Sequence, residues 1–504
     1  MTDQHTAWDK LPLSPATDGT PDAGDRVWDQ ADWQVGDQIG DPSRDRPALS
    51  VTTIGLVTAL IIGTAFGGGA AISGALAVLC LWSLLGPRQV IQSLVIATII
   101  TSAYPDLGFA EGPYTLMRWL LLAVCLGAVS ATLVLTRRQL HLCAYHVVAI
   151  LFLIVMSFLT ALTSYNVSIA LMKLLSFSLI TGMIAIAFAI LTEDEMESLQ
   201  GWFDNFWYGF ILATAFFAVT PYGYLLNGDL QGSIYNPQPF SVISVFGFVW
   251  FSYRYVTCPG RRSLILASLA VLMLFILMSA SRTALFAVLV SVLLPAAIFL
   301  TLRTRALDAG LRLLLSPGAL AIYVTSMAVL MFSTIDEGQI IDDIIRKYEN
   351  TTNVAEAFQA ARGRVIYESW LNFLEHPLFG IGFGIPSSLD VTNVTVDPIL
   401  GLPISSSVEK GNIYSAVLEE TGIIGTIFFV AMVIALFRGP AVVAASVPIL
   451  VAGFAVNLGE AIFFSMGGVG LLLWVMFGFA GSFRRAPDRH DDILAEGFYG
   501  EARP

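Results

Sequence analysis

The chain has 504 residues, with 26 basic against 38 acidic side chains and a formal net charge of −12. Apolar types make up 56%, charged types 13%, and the mean hydropathy is +0.74. Soluble proteins carry about 25% charged residues, so an ordinary cytosolic enzyme is excluded. The 33 Phe and 10 Trp exclude a disordered chain, and the missing basic excess excludes a typical nucleic-acid binder.

Residues 1–47 are polar, with ten Asp against Lys10, Arg26, Arg44 and Arg46. They read as a disordered acidic cytoplasmic tail and lack the basic start, apolar run and cleavage site of a signal peptide. Apolar runs of about 17–25 residues are candidate membrane helices. Fourteen follow: 48–66, 68–86, 89–104, 114–135, 142–163, 167–192, 201–220, 237–256, 263–280, 283–302, 312–333, 412–437, 440–457 and 461–483. Only Gly67, Gly68 and Gly69 separate the first two, so that pair is either two spans or one re-entrant unit. The expected fold is therefore an all-α polytopic membrane protein with about 12–14 transmembrane helices. Residues 48–333 hold the first eleven, 412–483 the last three, and 484–504 form a second cytoplasmic tail.

Lys and Arg concentrate in cytoplasmic connections. With the N-terminus inside, the inner connections carry Arg88, Arg137, Arg138, Arg254, Arg261, Arg262, Arg303, Arg305, Arg438 and Arg484. The short outer connections carry none, apart from Arg282 in the Ser281-Arg282-Thr283 turn. Residues 334–411 differ in kind: a long polar loop, extracytoplasmic by this topology, with a helical pattern over 355–375 that Pro377 stops.

The informative cations are those that break the positive-inside rule. Arg118 and Lys173 lie a few residues inside their spans, near the outer ends. A charge at that depth costs at least about 2.5–3.5 kcal/mol, which makes both functional candidates. Arg282, Arg362, Arg364 and Lys410 join them at the outer face. Nearby acidic residues by topology are Glu409, Glu419, Glu420 and Glu460. Six cations at one level suit an anionic partner, and a lipid diphosphate headgroup matches both the charge and the setting. Gly380-Ile381-Gly382-Phe383-Gly384 lacks the strand and helix of a nucleotide loop and reads as a docking turn. The four Cys support neither a disulfide framework nor a CxxC metal site. His376 reads as packing or capping, and Asp342-Asp343 as solvated carboxylates, so no metal or other cofactor is expected.

The motif order is Asn236 in an outer loop, Ser281-Arg282-Thr283 at a helix start, then Ala361-Arg362-Gly363-Arg364 with Trp370 and the run His376 to Gly384. It closes with Gly411-Asn412-Ile413-Tyr414 and Glu420-Thr421-Gly422. This combination resembles the O-antigen ligase and O-antigen polymerase superfamily of bacterial membrane glycosyltransferases. The resemblance implies transfer of a glycan from undecaprenyl diphosphate to an acceptor hydroxyl, on the periplasmic side of the inner membrane and without a metal. It also implies that Arg282 and Arg364 hold the diphosphate, with Arg118, Lys173, Asn236, Arg362, Lys410, Asn412 and Tyr414 lining the substrate site. Ligases of this family carry His before the Asn-x-Tyr pattern, and here that position is Gly411. Glu409 is the replacement base to consider. The missing His favours a polymerase of exopolysaccharide or O-antigen repeats over a ligase acting on lipid A-core or protein. A lipid or polysaccharide transporter is the reading from another class.

Overall fold

The computed structural model describes residues 49–103, 114–138, 140, 144–301, 364–388, 394–396, 403–406, 410–438, 446–465 and 468–481. The chain is a multi-pass, all-α membrane protein. The helices are α1 (Val51–Ser83), α2 (Pro87–Thr101), α3 (Tyr114–Leu135), α4 (Ala144–Thr163), α5 (Val167–Ala189), α6 (Glu193–Ala218), α7 (Pro237–Thr257), α8 (Arg262–Met278) and α9 (Arg282–Thr301). After these come α10 (Arg364–Glu375), α11 (Ile413–Arg438), α12 (Val447–Val456) and α13 (Val469–Gly481). Among the described residues five helices are long and apolar enough to cross a membrane: Val51–Ser83, Leu116–Leu135, His146–Thr163, Val167–Ala189 and Ile413–Phe437. The predicted span 312–333, the loop residues 334–363 and both tails lie outside the described residues.

Local sequence sets where these helices start. Ser50, Asn166 and Asn236 each accept a backbone N–H of the next turn through a side-chain oxygen. Thr192 and Glu195 form a reciprocal capping box at the start of α6. The core between helices is mostly aliphatic, with aromatic clusters in which Phe203, Trp207, Trp250 and Phe479 are fully buried.

Two breaks decide the topology. Gly68 has φ 61° and ψ −155° in the middle of α1. Ser50 N–H bonds to Asn205 at the middle of α6, while Phe66 stacks on Phe217 at its end. The second limb returns: Ser83 is three residues from α2, where Arg88 donates to Ser198 in the first turns of α6. Residues 51–67 and 69–83 are therefore two opposed limbs, each about 22–25 Å long at 1.5 Å per residue.

Gly422, with φ 61° and ψ −167°, breaks α11 in the same way. Tyr414 donates to the carbonyl of Phe454, and the Phe437 ring lies 5.6 Å from the Phe454 ring. A straight helix would hold residues 414 and 437 about 35 Å apart. The stretch predicted as one crossing over 412–437 is instead a pair of limbs, 413–421 and 423–438.

Other sequence-based expectations shift in detail. The loop helix is observed over 364–375. A small antiparallel ribbon, β1 (Val394–Val396) with β2 (Pro403–Ser406), lies in the long loop where only helices were expected. The predicted span 461–483 is helical only from Val469. Asn457 donates to Gly453 O and accepts from Phe463 N, and Trp474 Nε1 donates to Phe463 O. These side chains satisfy the backbone that a helix would otherwise pair.

Candidate functional site

One end of the bundle gathers the arginines read as topology signals. Arg88 reaches Ser198, Arg138 pairs with Glu195 at 2.7 Å, and Arg254 pairs with Asp204 at 2.8 Å. Arg88 and Arg138 meet the first two turns of α6, and Arg254 meets Asp204 further along it. Arg254, expected in an inner connection, is 5% exposed, and Trp250 Nε1 also donates to Asp204. Burying this pair without such partners would cost several kcal/mol. Burial raises the Glu195 carboxyl, but hydrogen bonds from Arg138 and Thr192 outweigh it and leave the group below its usual range.

Of the sequence-predicted site residues, Arg118, Lys173, Asn236, Arg282, Lys410, Asn412 and Tyr414 occupy the opposite end. Arg118 lines a small apolar crevice with Thr101, Leu121, Leu122 and Gly468. Its α2 wall ends where Ser102 O accepts Tyr235 N, beside Asn236. Burial and then the charge of Glu460 push the Tyr235 phenol above its usual value, so Glu460 is close to that loop. The segment 457–460 continues the rim. Gly459 packs so tightly on Thr283 that no Cβ fits there, and Arg282, the first residue of α9, stands exposed beside it. Asn457 O accepts Ile413 N at the head of α11, where Asn412 caps the helix through Ser415 N. Arg118, Asn236, Arg282 and Asn412 thus share one rim around 457–460 and Gly468, with Tyr414 beside it on Phe454 O. Sequence reading missed this segment as the organiser, because its Phe-rich composition mimics a span.

A second cluster adjoins the rim through the first limb of α11. Glu419 is fully buried and accepts from Lys410 Nζ at 2.5 Å, Asn372 Nδ2 at 2.7 Å and Ser387 Oγ at 2.9 Å. Glu420 accepts from Gly384 N at 2.8 Å and lies 3.7 Å from Lys410. Lys173 donates to Gly384 O at 3.0 Å and interacts electrostatically with Glu420 and Lys410. The two lysines therefore sit opposite two carboxylates. The sequence reading offered both as cations for a phosphate; their observed partners hold the loop.

The docking turn expected from Gly380 to Gly384 is built into the broken helix. The break at Gly422 frees the carbonyls of 419 and 420 and the amides of 423 and 424. Ile381 N and Gly382 N donate to those carbonyls at 2.9 and 3.2 Å. Ile423 N and Ile424 N donate to Pro377 O and Leu378 O at 2.9 and 3.3 Å. Four bonds replace the two lost from the helix. The fit requires glycine where the backbones meet: Gly380 (φ 73°) lies against the backbone of 419–421, and Gly422 (φ 61°) against that of Leu378 and Phe379. His376 belongs to this dock, its Nε2 2.9 Å from Tyr165 Oη.

The remaining candidates are placed as follows. Arg364 is the first residue of α10. Arg362 and Glu409 lie outside the described residues. Gly411, where a ligase-type His was looked for, is buried with Ile366 filling the space a side chain would need. Among the described residues no group of three or more His, Cys, Asp or Glu side chains converges as a metal site.

The family model described as O-Antigen ligase matches residues 266–430. This stretch, about a third of the chain, is similar to the O-antigen ligase family. The matched region runs from α8 to the second limb of α11, so it holds Arg282, Arg364, the docked turn and the Lys410 cluster. No curated protein sequence matches the chain significantly. The docked turn and α11 as far as residue 430 fall inside the matched stretch.

Proposed function

We propose that the protein is an exopolysaccharide or O-antigen polymerase. It moves a diphosphate-lipid-linked oligosaccharide onto the hydroxyl of another glycan, at the periplasmic face of the bacterial inner membrane. The carrying observation is the shared rim of Arg118, Asn236, Arg282 and the head of α11, at the end of the bundle opposite Arg88, Arg138 and Arg254. In this reading undecaprenyl diphosphate is the donor, and Arg282 and Arg364 hold its phosphate oxygens.

The acceptor oxygen attacks the anomeric carbon, forming a new glycosidic bond. The bond from that carbon to the diphosphate oxygen breaks, and the diphosphate leaves with the electron pair. Preorganised guanidiniums stabilise the charge as it develops. The acceptor proton passes to a base, for which Glu409 is the nominated carboxylate. Asn236, Asn412, Tyr414 and Arg362 orient the glycan. Lys173 and Lys410 act by fixing the docked turn in place.

The filled space at Gly411 supports polymerase over ligase, since Ile366 occupies the room of the ligase-type base. The test is deletion of the gene followed by sizing of the glycans made. Loss of chain length, with single repeat units still attached, is expected. Intact long chains left on the lipid carrier would instead indicate a ligase, and unchanged glycans with altered solute uptake would indicate transport.

A further inference from the structure

Helix α10 uses two opposite faces. Ile366 fills the space at Gly411, Ser369 bonds to Ser387, and Asn372 donates to Glu419, so one face is clamped on the first limb of α11. The other face carries Tyr367, Trp370, Leu371 and Leu374, at spacings of three, four and seven from the first. They are 61%, 49%, 41% and 55% exposed. This is one continuous apolar stripe on a helix of twelve residues, too short to cross a bilayer.

The stripe does not end with the helix. Leu378 and Phe379 are exposed just beyond it. Their backbone is bonded into the break of α11, where exposed Ile423, Ile427 and Val430 continue down the second limb. That limb belongs to a stretch long and apolar enough to span a membrane. The stripe is thus continuous with a membrane-facing surface. Its Tyr and Trp have the amphipathic rings that collect at the bilayer interface, and an apolar stripe opposite a polar, protein-bound face is the pattern of a helix lying in that plane.

We propose that the Tyr367, Trp370, Leu371 and Leu374 face of α10 lies in the lipid interface and anchors the docked turn at headgroup depth. The occupant is the lipid surface itself, and the inference does not depend on the reaction catalysed. The anchor would hold the Lys410, Glu419 and Glu420 cluster at a constant height relative to the headgroups.

The test compares the parent protein with Trp370→Phe, both reconstituted in phosphatidylethanolamine and phosphatidylglycerol bilayers. The emission lost in the variant reports Trp370. It should fall by about half or more when the lipid chains are brominated near their headgroup end, and barely respond to aqueous iodide. Quenching by iodide without quenching by brominated lipid would overturn the proposal. Protection from both would mean that protein covers the stripe, and would overturn it equally. In a Leu371→Glu and Leu374→Glu double variant, the Trp370 component should shift from lipid quenching to iodide quenching. An unchanged pattern there contradicts the anchor.

Discussion

Lys410→Met is the sharpest probe of the docked turn. The parent cluster sets Lys410 and Lys173 against Glu419 and Glu420, with Lys410 2.5 Å from Glu419 and 3.7 Å from Glu420. Removing one partner of a buried pair costs about 3–5 kcal/mol, because the other charge stays behind. Asn372 and Ser387 still donate to Glu419, and Gly384 N to Glu420, so the lower end applies. About 3 kcal/mol is roughly a hundredfold rise in the open population of the dock. Hydrogen exchange measured on peptides covering 377–388 and 419–427 reports that opening, because the amides of Ile381, Gly382, Gly384, Ile423 and Ile424 are the docking donors. The double variant Lys410→Met with Glu419→Gln removes one charge of each sign and leaves Lys173 opposite Glu420. Its exchange should return to within about tenfold of the parent, since a neutral replacement of both partners avoids the stranded charge. If the double variant exchanges as fast as Lys410→Met, the charges do not hold the turn.

Gly422→Ala places a Cβ against Leu378 in a backbone conformation open essentially to glycine alone, at about 1–3 kcal/mol for the backbone. It should accelerate exchange of the same peptides, whereas Gly182→Ala, with open space at its Cβ position, should not. Thr192→Ala removes half of the capping box on α6 and should destabilise the protein by about 1 kcal/mol in equilibrium unfolding. The carboxyl of Glu195 is held below its usual range, so the stability it adds is present above that range and is lost as pH falls through its depressed value. Thermal midpoints of Glu195→Gln should therefore converge on those of the parent in acid and fall below them at neutral pH; a constant gap would refute the assignment.

Most of the membrane helices were legible as apolar runs, and the two-limbed reading of residues 48–86 came from three adjacent glycines. Gly422 gave no such warning, since one glycine in a long apolar run looks like any other; the backbone bonds from Pro377 to Gly382 reveal the break. Arg118 and Lys173 stood out in the sequence because charge in an apolar span is costly. Their partners were not, because Lys173 meets Gly384 across 211 positions and Asn372 meets Glu419 across 47. The rim segment 457–465 hid for the opposite reason: Phe463 and Phe464 carry it among buried aromatic rings, so its composition matches a helix while Asn457 and Trp474 hold it in another shape.

The proposed transfer needs Arg282 and Arg364 to hold the lipid diphosphate while the glycosidic bond forms. The most direct measurement supplies purified protein in bilayers with a diphosphate-lipid-linked oligosaccharide and follows product length. The parent should lengthen the glycan and release lipid diphosphate, while Arg282→Ala and Arg364→Ala should each leave the lipid-linked unit unconsumed. Normal chain growth by both variants would contradict the account.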